Sequence, residues 1–121
     1  MKKILVADDD QDIVELLVSR LTANNYEVIT AYDGLRAVEQ AMAHNPDLII
    51  LDIKMPAGTG INVYETLKHS VKTASIPVIF ITAYASDDIK NKVMAMGAKD
   101  FITKPFASEE LLTKICRIIG E

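Results

Sequence analysis

The chain has 121 residues, half of them hydrophobic and a quarter charged, which suits one domain with a real core and leaves too little length for two ordinary ones. A formal charge of -4, a pI near 5.1 and the lack of a basic run argue against direct nucleic-acid binding, which needs clustered cations to neutralise phosphates. No stretch approaches the length of a bilayer span, and the N-terminal apolar run stops at Asp8-Asp9-Asp10, well short of a secretory signal core.

Strand-like and helix-like runs alternate from end to end. Lys3 to Ala7 reads as a first strand. Asp10 then caps a helix over roughly 11–24, where Ile13, Val14, Leu16, Leu17 and Leu21 recur at helical spacing and Asn24-Asn25 supplies a stop. Tyr26 to Thr30 is a second strand rich in β-formers. Asp33-Gly34 turns into a helix with Leu35, Val38, Ala41 and Met42 on one face, closed by Asn45-Pro46.

The third strand ends at Asp52. Its apolar run, begun by Pro46-Asp47 and broken by Pro56, has the pattern of a strand buried on both faces of a parallel sheet. Pro56, Gly58 and Gly60 suit a tight loop with close backbone approach, and a helix from about Ile61 to Ser70 turns Val63, Tyr64 and Leu67 inward. Pro77 to Thr82 is a fourth strand; Ser86-Asp87-Asp88 opens a helix that Gly97 ends; Lys99 to Thr103 is a fifth strand. Lys104-Pro105-Phe106 leads into a last helix with Leu111, Leu112, Ile115, Ile118 and Ile119 apolar, and Ser108, Glu109 and Glu110 place acids at its positive end. Five βα units in a row imply an α/β fold, a (βα)5 doubly wound sandwich with a central five-stranded parallel sheet.

The polar residues at the strand ends carry the chemistry. Asp8 and Asp9 follow the first strand, Asp52 ends the third, Thr82 ends the fourth and Lys104 follows the fifth. With those four strands adjacent, the side chains meet in the crevice at the carboxyl end of the sheet, where open α/β sheets collect ligands. Three carboxylates there repel one another unless a cation sits among them, and an all-oxygen donor set favours Mg²⁺ over zinc. A carboxylate beside Mg²⁺, an ammonium and a hydroxyl is equipment for phosphoryl transfer, with Asp52 as nucleophile.

Asp8-Asp9, Asp52 within Leu-Asp-Ile-Lys-Met-Pro, Thr82-Ala83 and Lys104-Pro105-Phe106 together resemble the receiver domain of two-component response regulators, the CheY-like fold, over essentially the whole chain, 1–121. The resemblance implies that Asp52 accepts a phosphoryl group from a phosphohistidine on a sensor histidine kinase or a histidine phosphotransfer protein. It implies Mg²⁺ held by Asp8, Asp9, Asp52 and the backbone carbonyl of Lys54. It further implies that Thr82 and Lys104 contact the phosphoryl oxygens, that the Lys104-Pro105 bond is cis, and that Phe101 is the switch aromatic, here without a tyrosine hydroxyl. The switch would draw Thr82 and Phe101 inward and change the surface of the fourth helix, fifth strand and fifth helix.

Two departures from the family pattern stand out. Gly58 replaces a larger residue, predicting a more mobile loop, and Lys54 and Tyr84 flank the position of the attacking water without an acid or amide to orient it, predicting slow self-dephosphorylation. The chain is thus expected to be a signalling switch that catalyses its own phosphoryl transfer rather than an enzyme with an external substrate. Its output would be a downstream protein target or an effector domain outside this sequence, as a monomer or a phosphorylation-dependent dimer. Cys116 is the single cysteine, which fits a reducing cytoplasm.

Each feature has a plainer reading by itself: exposed acids at a strand end, a turn former before a proline, a solvated lysine. Their joint placement at one rim disfavours it. Asp8-Asp9-Asp10 also contains the Asp-x-Asp spacing of haloacid-dehalogenase-like phosphohydrolases, but Asp12 stands where those want Thr or Val. A receiver-shaped interaction module without phosphorylation remains as a third class, and the presence of all five site residues offers it no support. His44 and His69 suit helix C-termini, Met42, Met94 and Met96 read as core filler, and Lys90, Asp100, Glu110 and Lys114 read as solvated charges at positions through which some receivers dimerise.

Overall fold

The computed structural model describes residues 1–120. Among them, five strands alternate with five helices: β1 (Lys3–Ala7), α1 (Gln11–Ala23), β2 (Glu27–Ala31), α2 (Gly34–His44), β3 (Leu48–Asp52), α3 (Gly60–Lys68), β4 (Val78–Thr82), α4 (Asp87–Ala95), β5 (Asp100–Thr103) and α5 (Ser108–Ile119). The strands form one parallel sheet in the order β2-β1-β3-β4-β5. The chain leaves β1 towards one edge and returns beside it to begin β3, so the direction of winding reverses between these two strands. Ligand crevices open at such a reversal.

Alternation along each strand divides the core in two. Leu5, Ile49, Leu51, Val78 and Phe80 face α2, α3 and α4, where Ala37, Ala41, Val63, Tyr64, Leu67 and Val93 meet them. Ile4, Val6, Leu48, Ile50, Ile79 and Ile81 face α1 and α5, against Val14, Leu17, Leu21, Leu111 and Ile115. Every residue of β3 and β4 is buried, as expected of central strands covered on both faces.

Local chemistry sets the helix ends. Asp10 Oδ1 accepts from the backbone N–H groups of Asp12 and Ile13, Asp33 caps α2 through Arg36 N, Thr59 caps α3 through Asn62 N and Ser86 caps α4 through Ile89 N. The last helix has Ala107 at its cap without such a bond, so the acids Glu109 and Glu110 are what its first turn offers the dipole. Lys104-Pro105 is cis, as the resemblance implied.

Three inward assignments need correction. Leu35 is 59% exposed, and the buried stripe of α2 is Gly34, Ala37 and Ala41, with Val38 and Met42 at its margin. Small residues lie there because this helix approaches the sheet and the loop after β3 closely, leaving no room for a leucine. Leu16 on α1 is likewise exposed, and Met94 is exposed rather than core filler, since the single buried residue of the short helix α4 is Val93. Met42 and Met96 do pack against the core.

Ala37→Leu, which overpacks the α2 seam, is expected to cost about 1–3 kcal/mol in urea unfolding. Leu35→Ala is expected to stay within ~0.5 kcal/mol. Comparable losses from both would contradict this assignment of faces.

Candidate functional site

Register brings the strand ends to a common rim. Asp52 pairs with Ile81 and Thr82 with Thr103, so Thr82 lies one step past Asp52 and Lys104 one step past Thr82. The Lys104 amide donates to the Thr82 carbonyl at 2.8 Å, which ties the lysine to the end of β4. Asp8 is held by its own backbone, whose N–H donates to Ala31 O at 3.1 Å, and by the Asp10 amide, which donates to Asp8 Oδ1 at 3.0 Å. Asp8 and Thr82 are fully buried, Asp52 is 4% exposed and Asp9 lies open to solvent.

Carboxylate oxygens of Asp8, Asp9 and Asp52 all lie within 4.8 Å of one another. Lys104 reaches between two of them, its Nζ 2.7 Å from Asp8 Oδ2 and 3.7 Å from Asp52 Oδ2. The shorter contact is an ion pair without hydrogen-bond alignment: Asp8 Oδ2 is the buried side-chain oxygen left without a hydrogen-bond partner among the described residues. One ammonium therefore serves two carboxylates of a three-carboxylate cluster.

Burial, followed by the neighbouring Asp8 charge, raises the Asp52 pKa from 3.8 to about 7, against the opposing pull of Lys104. Burial would lower the Lys104 pKa, but Asp8 and then Asp52 outweigh it and the ammonium is held charged. These are the electrostatics of a pocket short of positive charge. Its all-oxygen donor set fits a hard divalent ion.

The rim opens into a cleft of about 400 Å³ lined by Asp9, Asp10, Asp52, Lys54, Ala83, Tyr84 and Lys104. Lys54 Nζ sits 4.3 Å from the centroid of the Tyr84 ring across this cleft, a cation–π contact. Sequence reasoning named both residues but did not join them. Thr82 directs its hydroxyl oxygen to the Tyr84 amide, from which it accepts at 3.0 Å.

Phe101 lies away from the rim, already buried on the α2–α4 side of the sheet. It lines a second cleft of about 550 Å³ with Lys90, Asp100, Thr103, Glu110 and Lys114, among others. Four charges read from the sequence as solvated thus gather round one groove, where Lys114 pairs with Asp100 at 3.0 Å.

Gly60 makes the rim possible. Its amide donates to Ile53 O at 2.8 Å, and a Cβ there would collide with the Asp52 carbonyl oxygen. Sequence composition suggested this close approach; it gave no hint that Gly34, read only as a turn residue, abuts the same loop from α2.

Residues 4–116 match the family model described as the response regulator receiver domain. The chain belongs to the response regulator receiver family. This receiver is 43% identical over 93% of its length to the uncharacterized transcriptional regulatory protein YrkP of Bacillus subtilis, covering 47% of it, and 38% identical over 98% of its length to the response regulator ArlR of Staphylococcus aureus, covering 53%. It therefore spans about half the length of these relatives. Among solved structures, it is similar to the chemotaxis protein CheY4 of Vibrio cholerae, with 32% identity, TM-score 0.91 and 98% of each chain covered. The HemR receiver domain of Leptospira biflexa is similar at 30% identity and TM-score 0.91, covering all of this receiver and 96% of that chain. Receivers are signalling modules of two-component systems, and the acidic cluster at the rim belongs to one.

A raised folded-state pKa means that the unfolded chain loses the Asp52 proton first, so this group's contribution to stability falls as pH rises from about 4 through about 7. Without divalent ions, Asp52→Asn is expected to stabilise the receiver by about 2–4 kcal/mol at pH 8. The gain should vanish below about pH 4, as read by urea unfolding across pH. A gain independent of pH would contradict the assigned charge state.

Proposed function

We propose that this receiver is a phosphorylation-activated switch in which Asp52 is the phosphoacceptor. The observation that carries the reading is the ammonium of Lys104 suspended between Asp8 and Asp52 in a cleft otherwise dominated by negative charge. Asp8, Asp9 and Asp52, with the Lys54 carbonyl, would hold Mg²⁺, which when bound supplies positive charge to the equatorial oxygens of the transferring group. The remaining steps use the chain's own groups. A carboxylate oxygen of Asp52 attacks phosphorus of a phosphohistidine; the O–P bond forms, the P–N bond breaks, and its electron pair leaves on the imidazole nitrogen. Lys104 follows the charge as it moves onto the phosphoryl oxygens, and the Thr82 hydroxyl turns from the Tyr84 amide to donate a hydrogen bond to one of them.

The phosphoryl donor would be a sensor histidine kinase or a phosphotransfer protein docking near α1 and the rim. Reorientation of Thr82 removes a bond from the loop leading to α4, and the α4–β5–α5 groove around Phe101 would register that loss as a population shift. Because Phe101 is already buried, the shift acts on the groove's charged lining more than on a ring moving from solvent. The half-length matches to transcriptional regulators support an effector domain as the recipient. The full-length match to CheY4 supports a separate protein target by the same surface.

Intact mass is expected to rise by one phosphoryl group on incubation with phosphoramidate and Mg²⁺, and to remain unchanged without Mg²⁺ or in Asp52→Asn. A folded natural chain that gains nothing, or an Asp52→Asn chain that gains as much, would overturn the reading. Lys54 and Tyr84, which line the cleft and touch each other, offer neither an acid nor an amide to orient water, so we expect the acyl phosphate to last on the order of minutes or longer. Tyr84→Glu is expected to shorten that lifetime about tenfold; a natural lifetime of seconds would contradict the expectation.

A further inference from the structure

The loop from Ile53 to Thr59 is fixed at points on both sides of Lys54. At its start, the Ile53 amide donates to Ile81 O of β4 at 3.2 Å and the Ile53 carbonyl accepts from Gly60 at 2.8 Å. Further along, the Pro56 carbonyl accepts from the Gly34 amide at 3.0 Å, at the first residue of α2. Met55, between these anchors, is buried. The backbone then turns through two left-handed residues, Ala57 at φ 56° and Gly58 at φ 115°, and this turn presses back on Gly34. A Cβ on Gly34 would collide with Gly58 O and stand 2.8 Å from Ala57 O. Both obstructing atoms are backbone, so a side chain there must displace the loop or the helix.

From this geometry we infer that Gly34 is a positioning residue for the rim. By donating to Pro56 and admitting the Ala57–Gly58 turn against its bare Cα, it sets the height at which the loop presents the Lys54 carbonyl to the acidic cluster. The inference rests on the Mg²⁺ reading above. Gly58 belongs to the same seat: at φ 115° it turns the chain so that a Cβ there would stand 3.8 Å from the Gly34 Cα.

Asp33 completes the device from the side of the helix. Its carboxylate accepts from the Arg36 amide at 2.7 Å and so fixes the first turn of α2, from which the Gly34 amide projects.

Mg²⁺ affinity of the unphosphorylated chain, followed by amide chemical shifts at Asp8, Asp9 and Asp52, separates positioning from stability. Gly34→Ala is expected to raise the dissociation constant roughly tenfold, and Asp33→Ala, which loosens the turn without adding bulk, roughly threefold. Ala41→Gly, on the buried stripe of the same helix but away from the loop, should lower the melting temperature while leaving the constant unchanged. If Gly34→Ala does not fold, the Asp33→Ala and Ala41→Gly pair decides. Unchanged affinity in the loop-side variants, or equal weakening in Ala41→Gly, would overturn the inference while leaving the Mg²⁺ reading intact. A natural chain that binds no Mg²⁺ would overturn both.

Discussion

Everything at the rim depends on placing like charges where water cannot separate them. Asp8 and Asp52 are buried within reach of a single ammonium, and that arrangement is costly unless something positive completes it. A folded protein tolerates the cost because the rest of the sheet is apolar on both faces and supplies the compensating burial. The strain on Asp52 is therefore a property of the site, and in the proposed switch it is what would make the carboxylate responsive to a cation and to an arriving phosphoryl group.

Position follows from register. Four neighbouring strands end within a few steps of one another, so Asp8 and Asp9 after β1, Asp52 and Thr82 at the ends of β3 and β4 and the longer Lys104 after β5 assemble the cluster, and the backbone bond from Lys104 to Thr82 keeps the lysine in place. On the other side, the loop after β3 is seated on β4 and on the first turn of α2. The Thr82 hydroxyl oxygen accepts from the Tyr84 amide, and under the proposed function it is the group that would turn to the phosphoryl oxygens, one rotatable donor on a frame set by the sheet.

Much of this was legible in the sequence because strands buried on both faces advertise themselves as apolar runs, and because the chemistry sits at their ends. All ten elements fell within a few residues of their observed limits, and Asp8, Asp9, Asp52 and Lys104 meet as the strand order required. What was hidden concerns close backbone approach and helix faces. Helical spacing suggested that Leu35 shared the inward face of α2, but Gly34 and Ala37 occupy the narrow seam, a choice dictated by a loop distant in sequence. The Lys54–Tyr84 contact and the grouping of Asp100, Lys90, Glu110 and Lys114 round one groove are likewise tertiary facts with no local signature.

Chemical trapping of the phosphorylated residue tests the central claim most directly. Borohydride reduces an aspartyl phosphate to homoserine, and peptide mass spectrometry then reads its position in the chain. After reaction with phosphoramidate and Mg²⁺, the account predicts homoserine at position 52 and at no other aspartate. Conversion at Asp8 or Asp9, or phosphate retained on a hydroxyl or imidazole with none at position 52, would contradict it.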